Sequence, residues 1–141
     1  MKLRQVARTL KAKSFTSLRT AVVTFNSPVD DGRTTTVLLH LQHAFEMLLR
    51  AGLQQGRTRV FDKRSGRAIG FERSIALAQQ SARIKLTDAE AGTLRAVDAM
   101  RDDEQHWYND VSEGQLYLHI RAAVTLYDDL LQRVFSERLA D

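Results

Sequence analysis

A chain of 141 residues, 43% hydrophobic and 27% charged with a single proline, has the size and composition of one globular domain with a real core. No apolar run approaches bilayer length, so no membrane-spanning helix is expected, and the absence of cysteine removes disulfides, thiolate catalysis and cysteine zinc sites. The formal charge of +4 is unevenly spread: Lys2, Arg4, Arg8, Lys11, Lys13 and Arg19 precede the first acid, leaving 15 of the 21 basic residues against all 17 acidic ones.

Apolar periodicity predicts a first helix from about Lys2 to Phe25, stopped by Asn26-Ser27-Pro28, because proline and the residue before it disfavour helix. Its acid-free, arginine-rich start is similar to a mitochondrial transit peptide. Against that, Leu3, Val6 and Leu10, then Phe15, Leu18, Val22 and Phe25, carry a core-like stripe through the whole segment. A second helix is expected from about Arg33 to Gln55, with Val37, Leu38, Leu41, Phe45, Leu48 and Leu49 on its apolar face and Gly56 as its stop. Between residues 57 and 71 the pattern changes. Arg59-Val60-Phe61 and Ala68-Ile69-Gly70-Phe71 flank a charged Asp-Lys-Arg-Ser-Gly turn, which reads as a short hairpin or an extended loop.

A short helix is expected over Ser74 to Ala82. Thr87-Asp-Ala-Glu90 is a capping box, with a hydroxyl that accepts from an early amide and a carboxylate that reaches back. The helix it opens carries Leu94, Val97 and Met100. Residues 110–113 offer the next caps, before a long last helix with Leu116, Ile120, Val124, Tyr127, Leu131 and Val134 on one stripe. Short connections between helices of this length predict a mainly α, antiparallel bundle of four to five helices with an insertion around residues 57–71. The span 1–141 reads as a single domain, either a whole protein or the catalytic part of a longer one, and a cytoplasmic location is expected.

The chemistry-bearing stretch is Arg101-Asp-Asp-Glu-Gln-His106-Trp-Tyr108. A guanidinium is a permanently charged, forked donor for phosphate oxygens, and a neutral imidazole moves protons at neutral pH. On a regular helix Arg101 and His106 diverge by about 140°, at roughly 100° per residue. Convergence therefore needs a helix end or kink, or an arginine of one subunit meeting a histidine of another across a symmetric interface. The basic residues of the first helix, Arg4, Arg8 and Lys11 among them, suit a phosphate backbone. A second basic cluster, Arg57, Arg59, Lys63, Arg64, Arg67 and Arg73, sits in the middle of the chain. The ordinary alternative for both clusters is a solvated face. His40, His43 and Glu46 recur every three residues, a spacing compatible with metal ligands, yet a polar flank beside the Leu38/Leu41/Phe45 core is the stronger reading. His119 has no charged company in the sequence, and no glycine-rich phosphate loop, nucleophilic serine motif or HExxH is present.

The arginine-x4-histidine spacing, lying between two helices of an all-α domain, resembles the HEPN superfamily, the higher eukaryote and prokaryote nucleotide-binding domain, in its defence- and toxin-associated ribonuclease branch. The match consists of Arg101, the polar Asp102 after it, and His106. Tyr108 extends it to the arginine-x4-histidine-x-tyrosine form of HEPN toxins paired with nucleotidyltransferase antitoxins, and the Leu38 to Ala51 segment is similar to a leading core helix of that superfamily. The resemblance covers about residues 30–135, and only the short motif is specific.

It implies a homodimer with a composite active site that cuts single-stranded RNA without metal or other cofactor and leaves 2′,3′-cyclic phosphate ends. His106 would deprotonate the 2′-hydroxyl or protonate the leaving 5′-oxygen, and Arg101 would hold the scissile phosphate. Asp102 would orient one of them. Tyr108 would shape the cleft or accept AMP from a cognate antitoxin, and an antitoxin or defence-system partner is expected. The run Asp102, Asp103, Glu104 would repel RNA unless some of these carboxylates pair with arginines. Two other readings stand beside this one: a catalytically silent HEPN-like module that binds RNA, nucleotide or protein, and a structural helical adaptor.

Overall fold

The computed structural model describes residues 2–29, 32–106 and 112–141, with the side chains of residues 104–106 outside that description. Five helices follow one another: α1 (Gln5–Phe25), α2 (Arg33–Gln55), α3 (Phe71–Gln80), α4 (Asp88–His106) and α5 (Glu113–Phe135). They form the mainly α bundle that the periodicity predicts. Helix α2 lies at its centre and packs on all four others.

The burial of α2 explains its position. Val37, Leu38, Leu41, Ala44, Phe45, Leu48, Leu49 and Leu53 are almost wholly excluded from solvent. That set exceeds a single stripe, and a helix apolar on most sides is stable only when covered from several directions. Helix α1 supplies the most extensive cover. It presents the small residues Ala7, Ser14, Ser17 and Ala21 to the interior, allowing a close antiparallel approach. The pairing is read directly from side chains: Arg4 Nη1 donates to the Gln54 carbonyl at 3.1 Å, and Ser14 Oγ donates to the Ala44 carbonyl at 2.6 Å. On its other side α2 approaches the turn before α4 and helix α5 so closely that Gly52 has room for nothing more. A β-carbon there would stand 3.0 Å from Ile84 Cδ1 and 3.2 Å from Val134 Cγ1.

Tyr127 of α5 ties the layers together. Its ring meets Phe45 of α2 at 5.8 Å and Phe15 of α1 at 6.1 Å between centroids. Its hydroxyl lies 2.7 Å from Ser14 Oγ, and burial pushes its pKa up to about 12. Aromatic edge contacts and a satisfied hydroxyl let a large polar ring sit in a core without an orphaned donor.

Local signals place the helix ends. Glu90 accepts from the Thr87 amide at 3.0 Å and the Glu90 amide donates to Thr87 Oγ1 at 3.1 Å, the capping box expected from sequence. A second box opens α5, where the Gln115 amide donates to Ser112 Oγ at 3.1 Å. Helix α3 begins at Phe71 and ends at Gln80, three residues earlier at its start than its apolar pattern suggests, because Phe71 is buried as the first helical residue. The insertion is a minimal hairpin: a single antiparallel bridge pairs Phe61 with Ala68, and the Ile69 amide donates to the Val60 carbonyl at 2.9 Å. Arg50 closes it onto α2 by donating to the Ile69 carbonyl and to Glu46. No helix among the described residues is long and apolar enough to cross a membrane.

Glu90 also joins α4 to α5, accepting from both Arg133 Nη1 at 2.8 Å and Nη2 at 2.7 Å. That fork, with help from Thr87, lowers its pKa from 4.5 to about 2. A depressed carboxyl adds stability that is complete above its unfolded value and drains away as pH falls through the folded value. The melting temperature should therefore fall between pH 4.5 and pH 2, and Glu90→Gln should flatten that slope. An unchanged slope in calorimetric scans of the variant would rule the pair out as its source. In the core, Gly52→Val should cost about 1–3 kcal/mol through overpacking, measured by urea denaturation.

Candidate nucleic-acid and catalytic cleft

Arg101 lies on α4, one helical turn beyond the buried Val97, and α4 packs on α2. Its guanidinium meets Gln42 there: Nη1 donates to Gln42 Oε1 at 2.5 Å. Gln42 is itself 6% exposed, so this charge-assisted bond satisfies a buried amide and fixes the arginine at once. Asp102 contributes little to the fixing. Its carboxylate is 3.4 Å from Nη2 and half exposed, a long and weak contact. Of the two contacts, the one to Gln42 is the shorter. Neighbouring Asp98 has its pKa raised, first by burial and then by the Asp102 charge, while Arg101 pulls it down.

Arg101 borders a cleft of about 420 Å³ whose other walls are Ser17 of α1 and Leu39, His40, Gln42, His43 and Glu46 of α2. Two imidazoles therefore share the arginine's cleft. His40 Nδ1 lies 2.8 Å from the Thr36 carbonyl. A carbonyl only accepts, so Nδ1 carries the proton there and Nε2 keeps its lone pair in the neutral ring. His43 Nδ1 lies 2.6 Å from Ser17 Oγ. Its pKa is lowered from 6.5, first by desolvation and further by His40, Arg50 and Lys13, with Glu46 opposing. The ring is neutral at neutral pH. Among the described residues no group of three His, Cys, Asp or Glu side chains is placed to hold a metal ion.

Ser17 and His43 also end a second groove, which runs along α1 past Arg8 and Lys13. The two clefts share this pair in their walls, with Arg8 and Lys13 lining the groove and Arg101 lining the cleft. Of the cationic residues expected to face RNA, Arg8 lines the groove along α1. Arg4 is exposed but is occupied at the C-terminus of α2, where its amide donates to Gln55 Oε1 at 2.9 Å. Lys11 is corrected. Its ammonium is turned inward, paired with Glu137 and set 5.2 Å from the Phe135 ring, because it shares the inner face of α1 with Leu18. Lys13 takes its place on the groove. The second basic cluster, from Arg57 to Arg67, is exposed on the hairpin and lines neither cleft.

The backbone of α4 stays helical through His106, so the positions of Arg101 and His106 remain about 140° apart around its axis. The side chain of His106, and Tyr108 altogether, lie outside the described residues. Sequence reasoning missed Gln42 and Ser17, and weighed His43 only as a metal ligand or polar flank. Gln42 had a signal: it stands four residues after Leu38 and three before Phe45, a core position holding an amide that demands a partner.

Residues 9–141 match the family described as Domain of unknown function (DUF3644), and the chain belongs to it. No curated protein and no solved structure matches the chain.

The two lysines of α1 separate structure from binding. Lys11→Ala should lower stability by about 1–3 kcal/mol, since it strips a partly buried ion pair and aliphatic packing. Lys13→Ala should change stability by less than about 0.5 kcal/mol. Denaturant unfolding of the two variants checks the assignment, and equal losses would contradict it.

Proposed function

We propose that the protein is a metal-independent endoribonuclease of HEPN type that cleaves single-stranded RNA to 2′,3′-cyclic phosphate ends and acts as a toxin or antiviral defence effector. The observation that carries the reading is the clamped Arg101. Its guanidinium is held by Gln42 in a cleft that shares Ser17 and His43 with the groove carrying Arg8 and Lys13. A fixed, forked cation is suited to a phosphodiester in its transition state, where charge builds on the non-bridging oxygens. The basic residues along α1 are suited to flanking phosphates of the same strand. Spacing and flanking helices supply the rest of the argument, since Arg101 and His106 stand in the arginine-x4-histidine relation of that superfamily.

In this reading a second copy of the chain forms a homodimer that brings both motifs to one cleft. That solves the geometric problem posed by an unbroken α4, because the imidazole facing a given arginine need not come from the same helix. His106 moves a proton, Arg101 holds the scissile phosphate, and Tyr108 shapes the cleft or accepts AMP from a cognate antitoxin. A cytoplasmic site of action follows from such a role.

Purified protein should cleave a mixed-sequence single-stranded RNA in EDTA and leave 2′,3′-cyclic phosphate ends. His106→Ala should abolish cleavage while folding and dimerisation persist. Arg101→Lys should reduce kcat by about 100-fold or more, because an ammonium cannot reproduce the forked contact. Full activity in either variant, read by gel analysis of labelled RNA, would exclude this mechanism.

A further inference from the structure

We propose that His43 is a second proton-transfer residue of the active site, taking the 2′-hydroxyl proton at Nε2 while Arg101 holds the adjoining phosphate. The proposal deepens the ribonuclease reading and rests on it for its substrate. Its basis is the contents of the arginine's own cleft. Along α4 the arginine-x4-histidine pair is split by about 140°. Across α2, by contrast, His43 and Arg101 line the same space within one chain. Both have a side-chain partner, His43 in Ser17 at 2.6 Å and Arg101 in Gln42 at 2.5 Å. A base and a phosphate clamp, each anchored by a side chain that is itself at most 6% exposed, form a preorganised pair.

The proton inventory of transesterification asks for such a residue. The 2′-oxygen must lose a proton as it attacks phosphorus, and the 5′-oxygen must gain one as its bond to phosphorus breaks. One imidazole in one protonation state does not serve both events in the same transition state. In the tautomer this step requires, His43 Nδ1–H donates to Ser17 Oγ; Nε2 then keeps its lone pair and accepts the 2′-hydroxyl proton. The new O2′–P bond closes the cyclic phosphate, and the 5′-oxygen leaves with a proton from His106. His43 then returns its proton to water, so protons and electrons balance without oxidant or co-reactant.

The charges around His43 suit a base. Lys13 and Arg8 stand on α1, His40, Glu46 and Arg50 on α2, and Arg101 on α4. Cations outnumber Glu46, which already pairs with Arg50. Desolvation, joined by His40, Arg50 and Lys13 and opposed by Glu46, lowers the pKa of the imidazole and favours its neutral form. Ser17 and Gln42 are positioning residues in this scheme.

The test is a pH–rate profile of RNA cleavage in EDTA for wild type, His43→Gln and Ser17→Ala, with melting temperatures recorded for each. Wild type should show an ascending limb below neutrality from deprotonation of His43. His43→Gln should lose that limb and at least about 100-fold in kcat. Ser17→Ala should displace the limb and lower kcat more than it raises KM, a split that a merely structural serine would not produce. Wild-type rate and limb in a folded His43→Gln variant would overturn the proposal while leaving the ribonuclease reading intact. Should wild type itself fail to cleave, that reading falls, and histidine ring NMR with inorganic phosphate decides the site alone. A phosphate-induced rise in the His43 pKa, absent from Arg101→Ala, supports the paired site. No response at His43 overturns it.

Discussion

The structure turns on the burial of α2. A helix covered on most of its sides by four others gains by pairing the polar groups that face the interior, because a buried orphaned donor or acceptor costs about 1–3 kcal/mol, and on α2 Arg50 Nε is left without a partner. The buried polar side chains of α2, Arg33, Gln42 and Arg50, each recruit a neighbouring element. Gln42 takes Arg101 of α4, and Arg50 takes the hairpin through the Ile69 carbonyl. Arg33 binds the Phe25 carbonyl at the end of α1, stacks over the Phe25 ring and pairs with Glu113 at the start of α5. The same bonds that satisfy α2 thus fix the relative placement of the other elements.

That requirement also places the cleft. Arg101 is 27% exposed, neither free in solvent nor lost in the core, because one guanidinium nitrogen reaches inward to Gln42 while the side chain keeps an edge at the surface. His43 stands on the outer side of the same helix, against Ser17. Cationic side chains divide by depth in the same manner. Lys11 and Lys13 are two residues apart on one helix, roughly 200° around its axis, so one is spent on Glu137 and the other lines a groove. Their shared basic character concealed opposite roles.

Much of the architecture is local in origin. The bounds of α2, the stop of α1 before Pro28 and the capping box at Thr87 follow from apolar spacing and from hydrogen bonds spanning three or four residues. The hairpin at residues 57–71 is legible for the same reason, a turn between two short apolar runs. Where prediction drifted, a tertiary contact intervened, as when burial of Phe71 drew the start of α3 earlier.

The cleft divides along the same line. Arg101 was visible as a chemically distinctive residue, since its charge and its spacing to His106 are properties of one short segment. Its partnership with Gln42, 59 positions away, was not. Nor was the meeting of Ser17 with His43, 26 positions away, or the loss of Lys11 to Glu137 across 126. Periodicity identifies the face of a helix that is buried but carries no information about which residue of another helix will lie opposite. Those pairings are decided only when the helices pack, because crossing geometry and depth set which polar groups come within 3 Å.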